Sequence, residues 1–401
     1  MHWTKETLGD VSEIISGFAF KSKDFKGIGI PVVKIKNINP PYVNISSAEC
    51  INEDEFDLTR LRRYELRTND FIVAMTGATI GKVGRINYAV KSYLNQRVAL
   101  IKPKPRVDQR FIYYSVISTG FENHIHTHID SHSVQANISA KSIGKFLINF
   151  PPLQEQKAIA EVLSSLDDKI ELLQKQNETL EALAQTLFRQ WFIEEADDSW
   201  EEVELGALVD TFNGISYKSS QLKESDIAMV TLKSFARDGS FRLDGFKEFV
   251  GEYKDRHECS DGDILVAHTD VTQGALLIGN AIEVRQPIEY KQLLYSMDLV
   301  KVVPKIDSDK YFILYTLKNT HFKHHAVGYS NGSTVLHMSK KAVPEYRLKH
   351  PPAILISQFH EKVSAFKAKQ RLNEASIVTL KQTRDTLLPK LMSGQVRVKL
   401  D

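Results

Sequence analysis

The feature that most constrains the fold of this chain is a long internal repeat. Trp3, Leu8 and Gly9 recur as Trp200, Leu205 and Gly206, which is a displacement of 197 residues. Further matches follow in the same order at nearly the same displacement: Gly17 with Gly214, Asp70 with Asp263, Thr76 with Thr269, Phe111 with Phe312, Tyr114 with Tyr315, and the Pro-Pro pair at 151–152 with that at 351–352. An ordered series of this kind indicates a tandem duplication of a unit of about 200 residues.

Each copy of the repeat has a mixed part followed by a helical part. In residues 1–150 and 199–350, short apolar runs such as DFIVAM, RVALIKP, DILVAH and LVKVVP predict β-strands, and a helical pattern lies near the end of each part. The segments that follow, 151–198 and 351–401, have helical periodicity throughout. We therefore predict an α/β (α+β) fold in which two tandem α/β domains alternate with two helical spacer regions.

The helical regions carry a heptad pattern. Apolar residues recur alternately three and four apart from Ile159 to Trp191, and the second copy keeps the same phase from Phe359 to Leu391. This repeat predicts a coiled coil, although an apolar stripe packed on its own domain is the alternative. Residues 153–198 carry 4 basic and 11 acidic side chains, a net charge of −7, and residues 353–401 carry 9 and 4, a net charge of +5. Opposite charges favour an antiparallel coiled coil within one chain.

Each heptad pattern has one asparagine on its seam, Asn177 in the first and Asn373 in the second. A buried Asn is costly unless a polar group bonds to it, and a facing Asn does so while fixing the helix register. Pairing the two gives facing positions whose numbers add up to 550, which sets Leu173 against Ile377. In the alternative, each Asn faces solvent or a partner subunit.

Composition excludes several classes of protein. The chain is 42% hydrophobic and 25% charged with a net charge of +2, which is ordinary for a globular protein and argues neither for nor against nucleic-acid binding. Two cysteines, Cys50 and Cys259, are too few for a disulfide framework or a cysteine zinc site. The polar start and the lack of a long apolar run favour a cytoplasmic protein without a signal peptide or membrane span.

Two motifs suggest chemistry, and both are weak. Residues 39–42, NPPY, resemble the catalytic tetrapeptide of adenine-N6 DNA methyltransferases, and the sequence that ends at Gly29 resembles their cofactor loop. In those enzymes βα units separate the loop from the tetrapeptide. The nine residues between Gly29 and Asn39 are too few to hold them. His124, His126 and His128 would share one face of a strand and resemble a zinc site, yet only His124 recurs in the second copy. We expect a hydrogen-bonded or solvated surface strand there, and no catalytic or metal-binding residues.

What remains is a binding architecture, and the whole chain resembles the DNA specificity subunits of type I restriction–modification systems. The resemblance rests on the opening Trp3-x4-Leu8-Gly9 with its repeat, on PPLQEQ at 151–156, and on GST at 332–334 leading into Met338-Ser339. The second helical region departs from the pattern, because it has PPAILISQF where the first has PPLQEQ.

The resemblance implies a non-catalytic subunit that binds an asymmetric, bipartite double-stranded DNA target, with one half-site for each target-recognition domain. Two methyltransferase subunits and motor-nuclease subunits would dock on it, and S-adenosylmethionine, ATP and Mg would be bound by those partners only. This chain would need no cofactor and no membrane. The alternative class is a coiled-coil scaffold whose two domains bind proteins, and a steep salt dependence of DNA affinity would separate the two.

Candidate DNA-binding residues are polar or basic residues near strand ends in corresponding places of the two copies. Asn and Gln can pair with adenine and Arg with guanine, whereas Lys more often contacts phosphate. In the first domain the candidates are Lys34, Lys36, Asn37, Thr76, Thr79, Lys82, Asn95, Gln96, Arg97, Gln135 and Asn137. In the second domain they are Thr231, Lys233, Ser234, Thr269, Thr272, Gln273, Lys291, Ser333, Thr334 and His337. For each of them, a solvated loop or turn-forming side chain is the alternative.

Overall fold

The computed structural model describes residues 3–129, 136–236, 239–270, 274–332 and 335–399. The chain divides into two compact units, of which the first extends to Gln174 and resumes at Glu374, and the second runs from Lys175 to Asn373. Five of the predicted DNA-binding residues lie outside the described residues: Gln135, Thr272, Gln273, Ser333 and Thr334.

The first unit combines β-sheets with short helices. Its helices are α1 (Leu8–Val11), α2 (Leu58–Leu61), α3 (Gln109–Val116), α4 (Thr119–Thr127) and α5 (Ala140–Gly144). Its strands are β1 (Thr4–Thr7), β2 (Ser12–Ser16), β3 (Phe25–Lys26), β4 (Ile30–Val33), β5 (Ile38–Asn39), β6 (Tyr42–Val43), β7 (Glu49–Ile51), β8 (Glu65–Leu66), β9 (Phe71–Ala74), β10 (Val83–Arg85), β11 (Ser92–Leu94), β12 (Val98–Pro103) and β13 (Leu147–Phe150). One sheet has the order β2-β12-β9-β10-β6-β5 and the other β3-β7-β4-β11-β8, while β1 pairs with β13.

Strand β9 shows why the apolar runs form central strands. Phe71 and Val73 belong to a core shared with the helices of the unit, whereas Ile72 and Ala74 belong to a core shared with the second sheet. Successive side chains of a strand point to opposite faces, so a strand covered on both faces is apolar at every position.

A long helix, α6 (Leu153–Arg189), follows β13 and continues into a π-helical turn at Gln190–Glu194. The second unit then repeats the mixed architecture, with helices α7 (Lys310–Lys318) and α8 (Thr320–Gly328), before the second long helix, α9 (Ala353–Ser393). Its strands are β14 (Glu202–Glu204), β15 (Val209–Asn213), β16 (Ile227–Val230), β17 (Lys247–Glu248), β18 (Glu258–Cys259), β19 (Ile264–Ala267), β20 (Thr269–Asp270), β21 (Ala281–Glu283), β22 (Gln292–Tyr295), β23 (Leu299–Pro304), β24 (Ser330–Asn331), β25 (Leu336–Met338) and β26 (Arg347–Lys349). The sheets have the orders β15-β23-β19-β21, β17-β16-β22-β18 and β20-β25-β24, and β14 pairs with β26.

The apolar seams of α6 and α9 pack against each other in each unit. In the first unit, Ile170, Leu173 and Ile377 form a small buried core. In the second unit, the rings of Trp191 and Phe359 lie 6.2 Å apart. Because rising numbers on one helix face falling numbers on the other, the helices are antiparallel, which confirms the predicted fold class.

A polar pair interrupts the seam within the second unit. Asn373 Nδ2 donates a hydrogen bond to Asn177 Oδ1 over 2.8 Å, and Gln370 Nε2 donates to the Asn177 carbonyl oxygen over 2.9 Å. Both asparagines therefore have the polar partner that a buried amide requires. The two residues face each other in the register whose numbers add up to 550.

Candidate nucleic-acid interface

A cleft of about 550 Å³ opens on the first unit where three segments meet. These segments are the end of β9, the turn between β11 and β12, and the residues that precede α5. Main-chain hydrogen bonds join them, because the Met75 N–H donates to the Arg97 carbonyl over 3.0 Å and the Ile138 N–H donates to the Met75 carbonyl over 2.9 Å. The lining residues are Ser16, Met75, Thr76, Gln96, Arg97, Asn137, Ile138, Ser139 and Ala140.

The cleft brings together four of the predicted DNA-binding residues: Thr76, Gln96, Arg97 and Asn137. Gln96 and Arg97 lie in the turn before β12, and Thr76 forms an antiparallel bridge with Asn137. The Thr76 hydroxyl oxygen is buried and has no hydrogen-bond partner among the described residues. The cleft is therefore lined by a cationic guanidinium and two amides, with the unpartnered Thr76 hydroxyl buried beside them.

Glycine allows the strand beside this cleft to approach the turn closely. A Cβ atom on Gly17 would lie 2.2 Å from the Asn95 carbonyl oxygen, and one on Gly214 would lie 2.2 Å from the Ser296 carbonyl oxygen. These distances exclude any side chain, because a larger residue would require the main chain to move. The same close approach of two main-chain segments therefore requires a glycine at this position in both units.

The second unit has the same main-chain arrangement with different side chains. The His268 N–H donates to the Asp298 carbonyl over 2.7 Å, and the Met338 N–H donates to the His268 carbonyl over 2.8 Å. Thr269 pairs with His337 in the β20–β25 ladder, as Thr76 pairs with Asn137. We call Met75, Thr76, Arg97 and Asn137 the first frame, and their counterparts His268, Thr269, Asp298 and His337 the second frame.

The two frames carry opposite charges at equivalent positions. The exposed Arg97 makes no ion pair with any residue in the described part of the chain, whereas Asp298 accepts a hydrogen bond from Thr269 Oγ1 over 2.9 Å. Burial lowers the pKa of His268, and the neighbouring His337 and Lys340 lower it further. The second frame therefore offers a carboxylate and a neutral imidazole where the first offers a guanidinium and a methionine.

Sequence reasoning missed Asp298 and His268. The repeat could have identified Asp298, because it follows Arg97 by 201 residues, the displacement that also relates Phe111 to Phe312. His268 takes the place of the apolar Met75, so residue type gave no indication of its position.

Several other predicted DNA-binding residues are buried in the structure. Asn37 donates to the Asn44 carbonyl and to Ser47, each over 3.2 Å, and its Oδ1 caps the turn at Lys34. Thr231 donates to the Gly245 carbonyl over 2.9 Å. Four predicted residues have side chains that lie inside the unit, and those of the last three bond to their own chain, so a direct DNA contact by them stays a prediction: Asn95, Asn37, Thr231 and Ser234. Thr269 is also buried, and its hydroxyl positions Asp298.

The remaining candidates lie outside the frames. Lys34 and Lys36 both pair with Glu49, and the Lys34 ammonium lies 3.4 Å from the centre of the Phe25 ring. Thr79 and the exposed Lys82 form the turn after Thr76. Lys233 lies in a 3-10 turn of the second unit, where Lys291 pairs with Asp226 over 2.5 Å.

The histidine motif was assigned to the wrong secondary structure. His124 and His126 lie on helix α4 and His128 caps it, so they do not share one face of a strand. His124 bonds to the Ser142 carbonyl over 2.8 Å, and His325 bonds to the Ala342 carbonyl at the same distance. A fourth histidine near this motif in the sequence, His132, lies outside the described residues. No group of three His, Cys, Asp or Glu side chains that could hold a metal ion occurs among those that are described.

Two further features bear on the sequence predictions. The phenol of Tyr42, in the NPPY motif, bonds to Glu171 and accepts a hydrogen bond from Arg85 over 3.2 Å. No helix within the described ranges is long and apolar enough to cross a membrane.

Comparisons with known proteins agree with this architecture. The family model "Type I restriction modification DNA specificity domain" matches residues 1–182. The MjaIX specificity subunit of Methanocaldococcus jannaschii is 25% identical over 99% of this chain and 94% of its own length, and the HindI specificity subunit of Haemophilus influenzae is 21% identical over 98% and 99%. The crystal structure of the type I restriction–modification S subunit from M. genitalium has the same fold, with a TM-score of 0.57, 18% identity, and coverage of 100% of this chain and 97% of that one. The chain is therefore similar, over nearly its whole length, to DNA specificity subunits of type I restriction–modification systems, and its first 182 residues match the model of that family.

Proposed function

We propose that this chain is the non-catalytic, DNA-reading subunit of a type I restriction–modification complex and that it recognises an asymmetric bipartite target. Each target-recognition domain would bind one half-site through its frame. The observation that carries the proposal is the pair of frames, in which one main-chain arrangement presents Arg97 in the first unit and Asp298 in the second. A repeated scaffold with different polar groups suits two half-sites of different sequence.

Base recognition by these two residues follows from their hydrogen-bonding groups. The Arg97 guanidinium can donate two hydrogen bonds to O6 and N7 of a guanine in the major groove. The Asp298 carboxylate can only accept, so it suits the amino group of cytosine. Lys82, in the turn after Thr76, and Lys233, in a 3-10 turn of the second unit, suit phosphate contacts, which add affinity without specificity.

The partners and cofactors follow from the family. Two methyltransferase subunits would dock on α6 and α9 and methylate adenine with S-adenosylmethionine, and motor-nuclease subunits would bring ATP and Mg. The chain by itself would bind none of these cofactors. We therefore expect the purified chain to transfer no methyl group to DNA when only S-adenosylmethionine is added, and methyl transfer under those conditions would contradict the proposal.

Methylation-site mapping tests the recognition step directly. The chain would be expressed with its methyltransferase subunits, and the methylated sequences of wild type and Arg97→Gln would be compared. We expect one base pair of the first half-site to be relaxed in the variant and the second half-site to be unchanged. Arg62→Gln is the control, because Arg62 is an exposed arginine of the same domain outside the frame. Unchanged specificity in Arg97→Gln would remove Arg97 from the recognition site.

A protein-binding scaffold is the alternative function, and salt dependence distinguishes it. Phosphate contacts release counterions, so the logarithm of DNA affinity falls steeply with the logarithm of salt concentration. We expect such a slope for the complex. DNA binding that is absent or insensitive to salt would favour the scaffold.

A further inference from the structure

A buried ion cluster joins the sheet of the second unit to helix α9. Glu283, on strand β21, and Lys367, on α9, are only 3% and 4% exposed in their side chains, and they lie 3.5 Å apart. Arg371, one turn further along α9, reaches the same carboxylate over 3.4 Å. Arg285 and Lys310 add contacts of 3.2 and 3.8 Å from within the domain. An acid on the sheet is thus paired with two bases on the helix.

The first unit has a contact of the same kind with the charges reversed. Arg85, on strand β10, donates to the Tyr42 hydroxyl over 3.2 Å, and this hydroxyl bonds to Glu171 on helix α6. Asp167 lies one turn before Glu171 and accepts a hydrogen bond from Tyr114 over 2.7 Å. Here a base on the sheet is connected through a tyrosine hydroxyl to one acid on the helix, and a second acid lies one turn away.

These residues occupy equivalent positions in the repeat. Arg85 pairs with Phe71 across the sheet and Glu283 pairs with Ile264, and these two partners are related by the repeat. On the helices, Asp167 and Glu171 are displaced by 200 residues from Lys367 and Arg371. The sheet position and both helix positions therefore change sign together between the two units.

We propose that this reversed charge pattern matches each recognition domain to the long helix that follows it in the chain. The second domain placed on α6 would bring the Glu283 carboxylate against Asp167 and Glu171. The first domain placed on α9 would bring Arg85 against Lys367 and Arg371. A like charge left in a buried contact is strongly destabilising, whereas the native pairing compensates each buried charge. The two domains are consequently not interchangeable, although their folds are alike.

A domain graft tests this inference without reference to DNA binding. Residues 199–350 would replace residues 1–150 in the full chain, and thermal unfolding would be measured. We expect the graft to lower the unfolding midpoint of the first unit by roughly 5–10 °C. Glu171→Arg should restore most of this loss, because it places an arginine at the position that Arg371 has on α9 in the native contact. Glu161→Arg is the matched control, since Glu161 is an exposed glutamate on the same helix, and it should restore nothing.

A second measurement in the native chain keeps the inference falsifiable if every graft fails to fold. Arg85→Glu alone should lower the unfolding midpoint by roughly 5–10 °C, and the double variant Arg85→Glu with Glu171→Arg should recover most of that loss, whereas Arg85→Glu with Glu161→Arg should not. Grafts that are equally stable with and without the Glu171→Arg change, or a double variant no more stable than Arg85→Glu, would overturn the inference. Because the readout is stability, failure here is distinct from failure of the proposed DNA recognition.

Discussion

The first and second frames have the same main chain and opposite chemistry. In both, the main chain at Met75 or His268 forms one hydrogen bond with the turn that holds Arg97 or Asp298 and another with a third segment. The N–O distances are between 2.7 and 3.0 Å. The side chains that project from this arrangement are Arg97 in one unit and Asp298 in the other. The comparison teaches that one main-chain hydrogen-bonding pattern can carry side chains of opposite charge, as the proposed recognition of two different half-sites requires.

Replacing a whole domain is the strongest test of this comparison. A foreign recognition domain substituted for residues 1–150 should change the entire first half of the methylated sequence, because each unit has its own cores and its own frame. The second half should stay as it is. Methylation-site mapping of the reconstituted complex gives the result, and a change in both halves would show that the units do not recognise DNA independently.

Asp298→Asn should have the next largest effect, and on the second half-site alone. The amide keeps the shape of the carboxylate but replaces one acceptor with a donor, so it should favour a different base. We expect methylation at the original sequence to fall roughly 10- to 100-fold, as the loss of one base contact predicts. Asp255→Asn, an exposed change on the same domain, serves as the control. An altered first half-site would contradict the separation of the frames.

Acid should weaken the second unit through Glu181. Burial alone would raise the pKa of Glu181, but Lys318 and Lys367, each 2.7 Å away, outweigh it and hold the pKa well below the ordinary value. A carboxylate with a lowered folded-state pKa stabilises the fold above its unfolded-state pKa of about 4.3, and this stabilisation is lost as pH falls further.

Glu181→Gln should therefore reduce the free energy of unfolding at pH 7 by about 2 kcal/mol, with a smaller difference from wild type at pH 3. Chemical denaturation at both pH values measures the effect. Glu178→Gln changes an exposed glutamate of the same helix and should leave stability nearly unchanged. A Glu181→Gln effect that is the same at both pH values would show that the ion pairs are not its cause.

The smallest perturbation tests the helix register. Asn177→Cys with Asn373→Cys should form a disulfide readily, because the two side chains are within hydrogen-bond distance. Asn177→Cys with Leu380→Cys, one heptad further on, should not. The reverse result, measured by gel mobility after mild oxidation, would refute the register.

The sequence predicts the helical seam well and individual loop residues poorly, for physical reasons. A seven-residue repeat depends on local spacing, so Asn177 and Asn373 are recognisable as seam residues without a structure. Whether Asn37 or Ser234 points outward depends on how a short 3-10 turn packs on the sheet, and spacing carries no information about that. The alternation of His124, His126 and His128 suggested a strand, but the apolar contacts of Phe121 and Ile125 made the segment helical.

The frame also has a consequence for the evolution of these proteins. Its hydrogen bonds use the main-chain atoms of Met75, Arg97 and Ile138, so substitution at these positions leaves the bonds intact. The side chain at position 97 is exposed and contributes little to folding, which makes its replacement nearly neutral for stability. If Arg97 reads a base as we propose, single substitutions at this position could change the target sequence while each intermediate remains a folded protein.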